Sequence, residues 1–203
     1  MADEQTSVEL WFDPMCPWAW MTSRWLMEVE RQREIAVTWS VMSLSILNEG
    51  RELDADYRDL MDRAWGPVRV IIAAREQHGQ EVVKKLYDAF GTRVHLGENR
   101  DLDVVIKEGL DEVGLPAELA AAAHVDDYDE LLRASHERGI GLVGDEVGTP
   151  VISVDGVAFF GPVVTPAPKG QAALDLFDGC VLVAGTAGFY ELKRTRTKDP
   201  DFS

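Results

Sequence analysis

Phe12-Asp13-Pro14-Met15-Cys16-Pro17-Trp18-Ala19-Trp20 is the stretch whose reading decides the fold. Before it, Val8-Glu9-Leu10-Trp11-Phe12 is short and rich in β-branched and aromatic residues, as a buried strand is. Pro14 ends that strand. After it, Trp18, Met21, Trp25 and Val29 recur at spacings of three and four, an apolar stripe on a helix expected to run to about Arg33. Pro17 suits the first turn of that helix, because its φ is already helical and its missing N–H would have had no partner. Cys16 therefore stands at the lip of the helix, where unpaired N–H groups and the positive end of the dipole favour a thiolate. The expectation is a thiol that titrates below the ordinary value of about 8.5. A free cysteine can equally be a small buried apolar side chain; the strand, proline and helix-start context favours the reactive reading. Ala19 occupies the place of the second thiol in a Cys-x-x-Cys pair, so the chain carries an attacking thiol without a resolving one beside it.

Farther along, Ile35, Val37, Trp39 and Val41 alternate with Ala36, Thr38 and Ser40, which reads as a strand and completes a βαβ unit with parallel strands. From Asp54 to Gly139 only helical periodicity is found. Tyr57, Leu60, Met61 and Ala64 mark a helix expected to stop near Gly66, and Pro67 is expected to start another through Val68, Ile71 and Ile72. Helices follow at Val82–Phe90 and Leu102–Leu110, then a short alanine-rich helix opened by Pro116, then a helix carrying Tyr128, Leu131, Leu132 and Ser135. Residues 54–139 read as a helical insertion in a domain formed by residues 1–53 and 140–203.

Gly139, Gly141, Gly144 and Gly148 punctuate the return, but no strand precedes them in the spacing of a nucleotide-binding fingerprint. Asp155-Gly156 between Val151–Val154 and Val157–Phe160 is a hairpin signal. A last helix over Gly170–Ala184 bears Ala173, Leu176, Phe177 and Val181; Cys180 falls on that face and is assigned to core packing. The tail from Phe189 to Arg196, with Lys193, Arg194 and Arg196, reads as a solvated surface strip. The order β-α-β, helical block, β-hairpin, helix is that of an α/β thioredoxin fold with a large all-helical insertion after the second strand. Thr149-Pro150, directly before the third strand, then stands where that fold places a cis-proline opposite the thiol.

Composition sets limits on function. The chain has 203 residues, 46% of them hydrophobic and 28% charged, enough for one large domain or a core domain with an insertion. A formal net charge of −16 argues against nucleic acid and against an anionic membrane surface as partners. Met1–Ser7 is polar and acidic, and no run approaches the roughly 18 apolar residues of a membrane span, so a cytosolic protein with reduced thiols is expected. Two cysteines, Cys16 and Cys180, do not make a disulfide scaffold. His78, His95, His124 and His136 are scattered without ligand-like spacing to either cysteine, so no metal is expected. No Gly-x-Ser-x-Gly elbow supports a hydrolase.

Over nearly its whole length the sequence resembles the DsbA-like thioredoxin-fold family, and more closely its branch of cytosolic mycothiol-dependent reductases described as nitroreductases. The resemblance rests on Trp11 to Trp18, Thr22-Ser23-Arg24-Trp25, Val41-Met42-Ser43-Leu44 and Ile46-Leu47-Asn48-Glu49. It continues at Arg63-Ala64-Trp65-Gly66-Pro67-Val68-Arg69, Val147-Gly148-Thr149-Pro150, Phe159-Phe160-Gly161-Pro162 and Glu191-Leu192-Lys193-Arg194-Thr195-Arg196. That family's active site is Cys-Pro-Trp-Cys. Here it is Cys16-Pro17-Trp18-Ala19, so the chain is either a single-thiol member or one whose resolving cysteine has been replaced. The resemblance implies a substrate pocket at Trp18, Asn48, Tyr57 and His95, with Thr149 and Pro150 facing the thiol. It also implies mycothiol or a similar small thiol as the co-reactant, with no metal or nucleotide, and a small disulfide, nitro or other electrophilic substrate. Related folds suggest a rival of another class, a thiol-dependent transferase or isomerase of the kappa-transferase or chromene-carboxylate-isomerase type, for which a single nucleophile suffices. A weaker third reading is a redox-inactive module that binds a peptide in the cleft.

Overall fold

The computed structural model describes residues 5–202; Ser203 and the first four residues of the polar Met1–Ser7 stretch lie outside the described residues. Strand β1 (Thr6–Phe12) is parallel to β2 (Ile35–Val41), with Val8 opposite Val37 and Phe12 opposite Val41. Strand β3 (Val151–Val154) runs antiparallel to the other side of β1, with Val8 opposite Val154, and β4 (Val157–Phe160) closes the sheet in the order β2-β1-β3-β4. The C-terminal half of the central strand is buried on both faces. Val8, Leu10 and Phe12 enter the main core, whereas Trp11 packs with Met42, Ile140 and Val151 in a smaller cluster on the other face. This is why Leu10-Trp11-Phe12 run without a polar alternation.

Helix α1 (Pro17–Glu30) crosses from β1 to β2 and ends three residues before the expected Arg33. It is held against α7 (Gln171–Ala184) by Trp25, whose indole N–H donates to the Ala173 carbonyl at 2.9 Å and whose ring lies 6.1 Å from that of Phe177. Arg33 and Asp178 tie the end of this crossing to α7 as a two-bond ion pair. The β3–β4 turn has Asp155 at φ 47° and Gly156 at φ 85°, the left-handed pair that a two-residue hairpin needs.

Between β2 and β3 lie α2 (Leu44–Leu47), α3 (Ala55–His78), α4 (Glu81–Gly91), a π-helical turn (Thr92–Leu96), α5 (Leu102–Val113), a 3-10 segment (Ala117–His124) and α6 (Asp129–Ile140). Two expectations are corrected here. The break near Gly66 does not occur, and α3 runs 24 residues straight through Pro67. Proline inside a helix removes one ladder bond, here that to the Arg63 carbonyl. Burial of Ala64, Gly66, Pro67, Val68 and Val70 on the inward face offsets that loss. Gly66 serves close approach and not termination: a Cβ there would lie 3.3 Å from the Ala123 Cβ of the 3-10 segment. The alanine-rich segment after Pro116 is 3-10 and not α, with Leu119, Ala122 and Ala123 buried.

Candidate active site

The site starts from the end of β1. Asp13 leaves the strand fully buried and uses both carboxylate oxygens on backbone: Oδ1 accepts from Met15 N–H at 2.8 Å and Oδ2 from Leu44 N–H at 2.7 Å. The Asp13 carbonyl accepts from Cys16 N–H at 3.0 Å. One residue thus fixes the turn that delivers the thiol and the start of α2 beside it. Cys16 is the N-cap of α1, at φ −84° and ψ 112°, with Pro17 in the first turn. Its Sγ accepts from the Ala19 N–H at 3.4 Å, the cap contact that Ser or Asp makes elsewhere. Its S–H donates to the Thr149 carbonyl, also at 3.4 Å, and the Thr149–Pro150 bond is cis. The Thr149 hydroxyl is buried, with no hydrogen-bond partner among the described residues. Cys16 and Cys180 are both free thiols.

The expectation of a depressed thiol pKa is not met in this pocket. Cys16 is 6% exposed, and burial pushes its thiol up. The contacts with Thr149 and the Ala19 amide pull the other way, and the nearby Asp13 charge adds to the rise. A helix end offers an exposed charge about 0.3–1 kcal/mol, less than removing a thiolate from water takes back. Asp13 is perturbed by the same cause: burial pushes its carboxyl up to about 6 against the two amides that favour the charged form.

The other sequence-derived residues are gathered around this thiol with different tasks. Asn48 caps α2, its amide donating to the Leu44 carbonyl at 2.8 Å. Tyr57, near the start of α3, has its phenol pushed up by burial and by the Asp13 and Cys16 charges, with the Asn48 side chain pulling the other way. Tyr57 therefore lies within electrostatic range of the thiol. His95, in the π-helical turn, donates from Nε2 to the Pro14 carbonyl at 2.9 Å and so braces the turn before the thiol. Its ring is buried, its pKa is lowered to about 4 chiefly by burial, and it is neutral at pH 7. Trp18 and Ala19 sit on the first turn of α1, Ala19 fully buried and Trp18 half-buried.

Two features escaped sequence reading. One is Asp13, visible as the residue after the strand but with no sign of its burial. The other is the course of the C-terminal tail: Phe189 to Arg196 is exposed, as expected of a solvated strip, yet Arg196 and Phe202 meet Trp18 and His95. The Arg196 guanidinium lies over the Trp18 ring at 5.5 Å, and Phe202 stacks on His95 with ring centres 5.7 Å apart. The Asp201 N–H anchors the tail on the Thr165 hydroxyl at 2.7 Å. Pro17 and Trp18 on one side and residues 196–200 on the other enclose a cavity of about 580 Å³. A cavity of about 640 Å³ in the helical block, between α3, α5 and the 3-10 segment, holds no thiol. Cys180 is also corrected: it is half-buried on α7, where only Ala173 and Phe177 are fully covered, and burial pushes its thiol up to about 11. Among the described residues no His, Cys, Asp or Glu cluster could hold a metal ion, and no helix is long and apolar enough to cross a membrane.

Comparison with known proteins agrees with this architecture. The chain aligns with a probable DsbA oxidoreductase from Streptomyces coelicolor at a TM-score of 0.59 and 18% identity, covering 97% of this chain and 94% of that one. It aligns with a 2-hydroxychromene-2-carboxylate isomerase at a TM-score of 0.53 and 11% identity, covering 86% and 94%. At these identities the two likenesses establish the fold. In sequence it is 33% identical over 199 residues to the uncharacterized protein Rv2286c of Mycobacterium tuberculosis, covering 95% of this chain and 83% of that one. The family model of the mycothiol-dependent nitroreductase Rv2466c matches residues 15–194, from the turn before the thiol to the basic tail. The chain belongs to this Rv2466c-like family of the DsbA-like thioredoxin fold.

Proposed function

We propose that the protein is a thiol–disulfide oxidoreductase in which Cys16 is the nucleophile and a low-molecular-weight thiol, mycothiol by family, is the reductant. Family membership supports a thiol-dependent redox role. The observation that carries the reading to residues is Cys16 Sγ at the N-cap of α1, facing the Thr149 carbonyl at 3.4 Å. The thiol gives up its proton and the thiolate attacks one sulfur of a disulfide, forming a mixed disulfide and expelling the other half as a thiolate. Once Cys16 has no S–H, the Thr149 carbonyl is free to accept an N–H from the bound partner. The unpartnered Thr149 hydroxyl offers a second contact, and these two groups fit a small thiol carrying amides and hydroxyls. Residues 54–139 act as an insertion subdomain that brings Tyr57 and His95 to the cleft, and Asn48, Tyr57 and Trp18 line the substrate side.

With Ala19 in the resolving position, a second small thiol must attack the mixed disulfide, releasing Cys16 and a new disulfide. Against a nitro compound, two thiols supply two electrons: they leave as one disulfide, and one oxygen leaves as water, giving the nitroso product. We place this chemistry in the cytosol, where a pool of reduced thiol sustains it, with neither nucleic acid nor membrane as a partner.

The transferase or isomerase reading is favoured by a different observation, the lone nucleophilic thiol. The test follows thiol consumption and chromene-carboxylate isomerisation side by side, in the protein and in Cys16→Ser. Thiol consumed in step with a disulfide or nitro substrate, and lost in Cys16→Ser, supports the redox reading. Isomerisation without net thiol consumption overturns it.

A further inference from the structure

Trp20 holds Cys16 from both sides, by two different parts of one residue. Its backbone N–H donates to the Cys16 carbonyl at 3.1 Å, across the first turn of α1. Its indole lies 5.5 Å from the His95 ring, and His95 Nε2 donates at 2.9 Å to the carbonyl of Pro14, two residues before the thiol. The indole itself is buried and tightly seated. The Arg24 guanidinium covers it at 3.9 Å and is pinned in turn by Asp88 and by the Ser23 hydroxyl. Tyr87 packs edge-on at 5.6 Å and is wholly buried. Gly91, the last residue of α4, completes the seat: a Cβ there would overlap Cε3 and Cζ3 of the indole. Of these neighbours His95 is the one with room to yield, because it sits in a single π-helical turn backed by the partly exposed Phe202.

We propose that Trp20, seated on Gly91, is the positioning residue of the Cys16 turn and acts through His95. The indole keeps the imidazole on the Pro14 carbonyl. That bond steadies the turn in which the Asp13 carbonyl receives the Cys16 N–H at 3.0 Å. The turn then sets the sulfur against the Thr149 carbonyl and the Ala19 amide, both at 3.4 Å. This deepens the reading of Cys16 as the reacting thiol and rests on it. It also gives the helical block a part in placing the sulfur: Gly91 and His95 lie between β2 and β3, whereas Trp20 and Cys16 belong to the βαβ unit. A side chain at position 91 would push the indole off its seat. With Arg24 and Tyr87 fixed, the displacement passes to His95 and loosens the turn.

The test follows the pH midpoint of Cys16 exchange with neutral dithiodipyridine, in the chain carrying Cys180→Ser. Burial is what holds this thiol up, so a loosened turn that admits water should bring it down. Gly91→Ala should lower the midpoint by about half to one pH unit. His95→Leu, which lacks the N–H, should lower it by a similar amount, and His95→Gln, which keeps a donor, should not. Joined to His95→Leu, Gly91→Ala should add little, since both break the same link. Asp13, Tyr57 and Tyr87, whose charges act with the thiol, are unaltered in every variant. A purely structural role lowers the melting temperature and leaves the midpoint in place, and that result overturns the proposal alone. Full additivity of Gly91→Ala with His95→Leu overturns the route through His95. Where Gly91→Ala does not fold, Trp20→Phe withdraws the outer indole atoms and should give the same sign; an unmoved midpoint there overturns the proposal as well. A Cys16 inert to the reagent in the unaltered chain removes the nucleophile and the proposal together.

Discussion

Two walls flank the Cys16 thiol, and they are built on different physics. The inner wall is Asp13, Thr149, Asn48 and Tyr57: buried or half-buried groups at the end of β1, on α2 and α3 and before β3, with the Asp13 and Asn48 side chains tied to backbone amides and a carbonyl. The outer wall is the irregular tail, exposed along most of its length, meeting the site through Arg196 on Trp18 and Phe202 on His95. The inner wall sets the chemistry of the sulfur, because burial and nearby charge decide its proton affinity. The outer wall carries exposed charge, which acts at range and is sensitive to salt.

The largest expected effect breaks the inner wall at its centre. Cys16→Ser should reduce thiol-dependent turnover by about three orders of magnitude or more, since a serine hydroxyl is not a nucleophile without a base. Thiol consumption with a small disulfide checks it, and retained turnover would remove Cys16 from the reaction. Next comes Ala19→Cys. Positions 16 and 19 lie one helical turn apart, and Ala19 N–H already touches the Cys16 sulfur at 3.4 Å, so a thiol there attacks a mixed disulfide intramolecularly. Turnover should rise by about tenfold or more, and a long-lived Cys16 adduct should vanish; unchanged adduct lifetime would contradict the two-thiol reading of the motif.

A smaller effect concerns the field inside the wall. Asp13→Asn removes a negative charge that disfavours the Cys16 thiolate, so the thiol midpoint should fall, by about one pH unit or less. Absorbance of the thiolate against pH measures it, and an upward move would show that Asp13 acts otherwise. The smallest effect is on stability. His95 is held near pKa 4, so the unfolded chain binds more protons below about pH 6.5, and stability is lost as pH falls from there toward 4. Asp13, near 6 in the fold, has the opposite sign: the folded state binds the extra proton between about pH 6 and 4, and stability is gained on acidification. His95→Gln should leave a chain whose urea midpoint rises over that window, whereas Asp13→Asn should leave one whose midpoint falls. The same slope in both variants would refute the assignment.

How much of this was legible in the sequence follows the same division. The strand, turn and helix around Cys16 could be read because caps, proline and apolar spacing are local signals. The Asp155-Gly156 hairpin was legible for the same reason. Pro67 misled because its local cost is offset by packing against segments far along the chain, which periodicity does not see. The thiol pKa misled likewise: the helix end is written locally, but burial beneath Thr149 comes from a segment more than a hundred residues away. Cys180 has the right period for a core position, yet α7 lies at the margin of the fold and its face is only half covered. The tail has no periodicity at all, so its contacts with Trp18 and His95 left no trace in the pattern.

The claim that joins both walls is that Cys16 is the one thiol poised for exchange. Its most direct test is to incubate the protein with the disulfide of a low-molecular-weight thiol and locate the adduct by mass spectrometry of the digested chain. The account predicts one equivalent, on the peptide containing Cys16, persisting until further thiol is added, with Cys180 unmodified. An adduct on Cys180 alone, or none at all while a chromene substrate is isomerised, would contradict it.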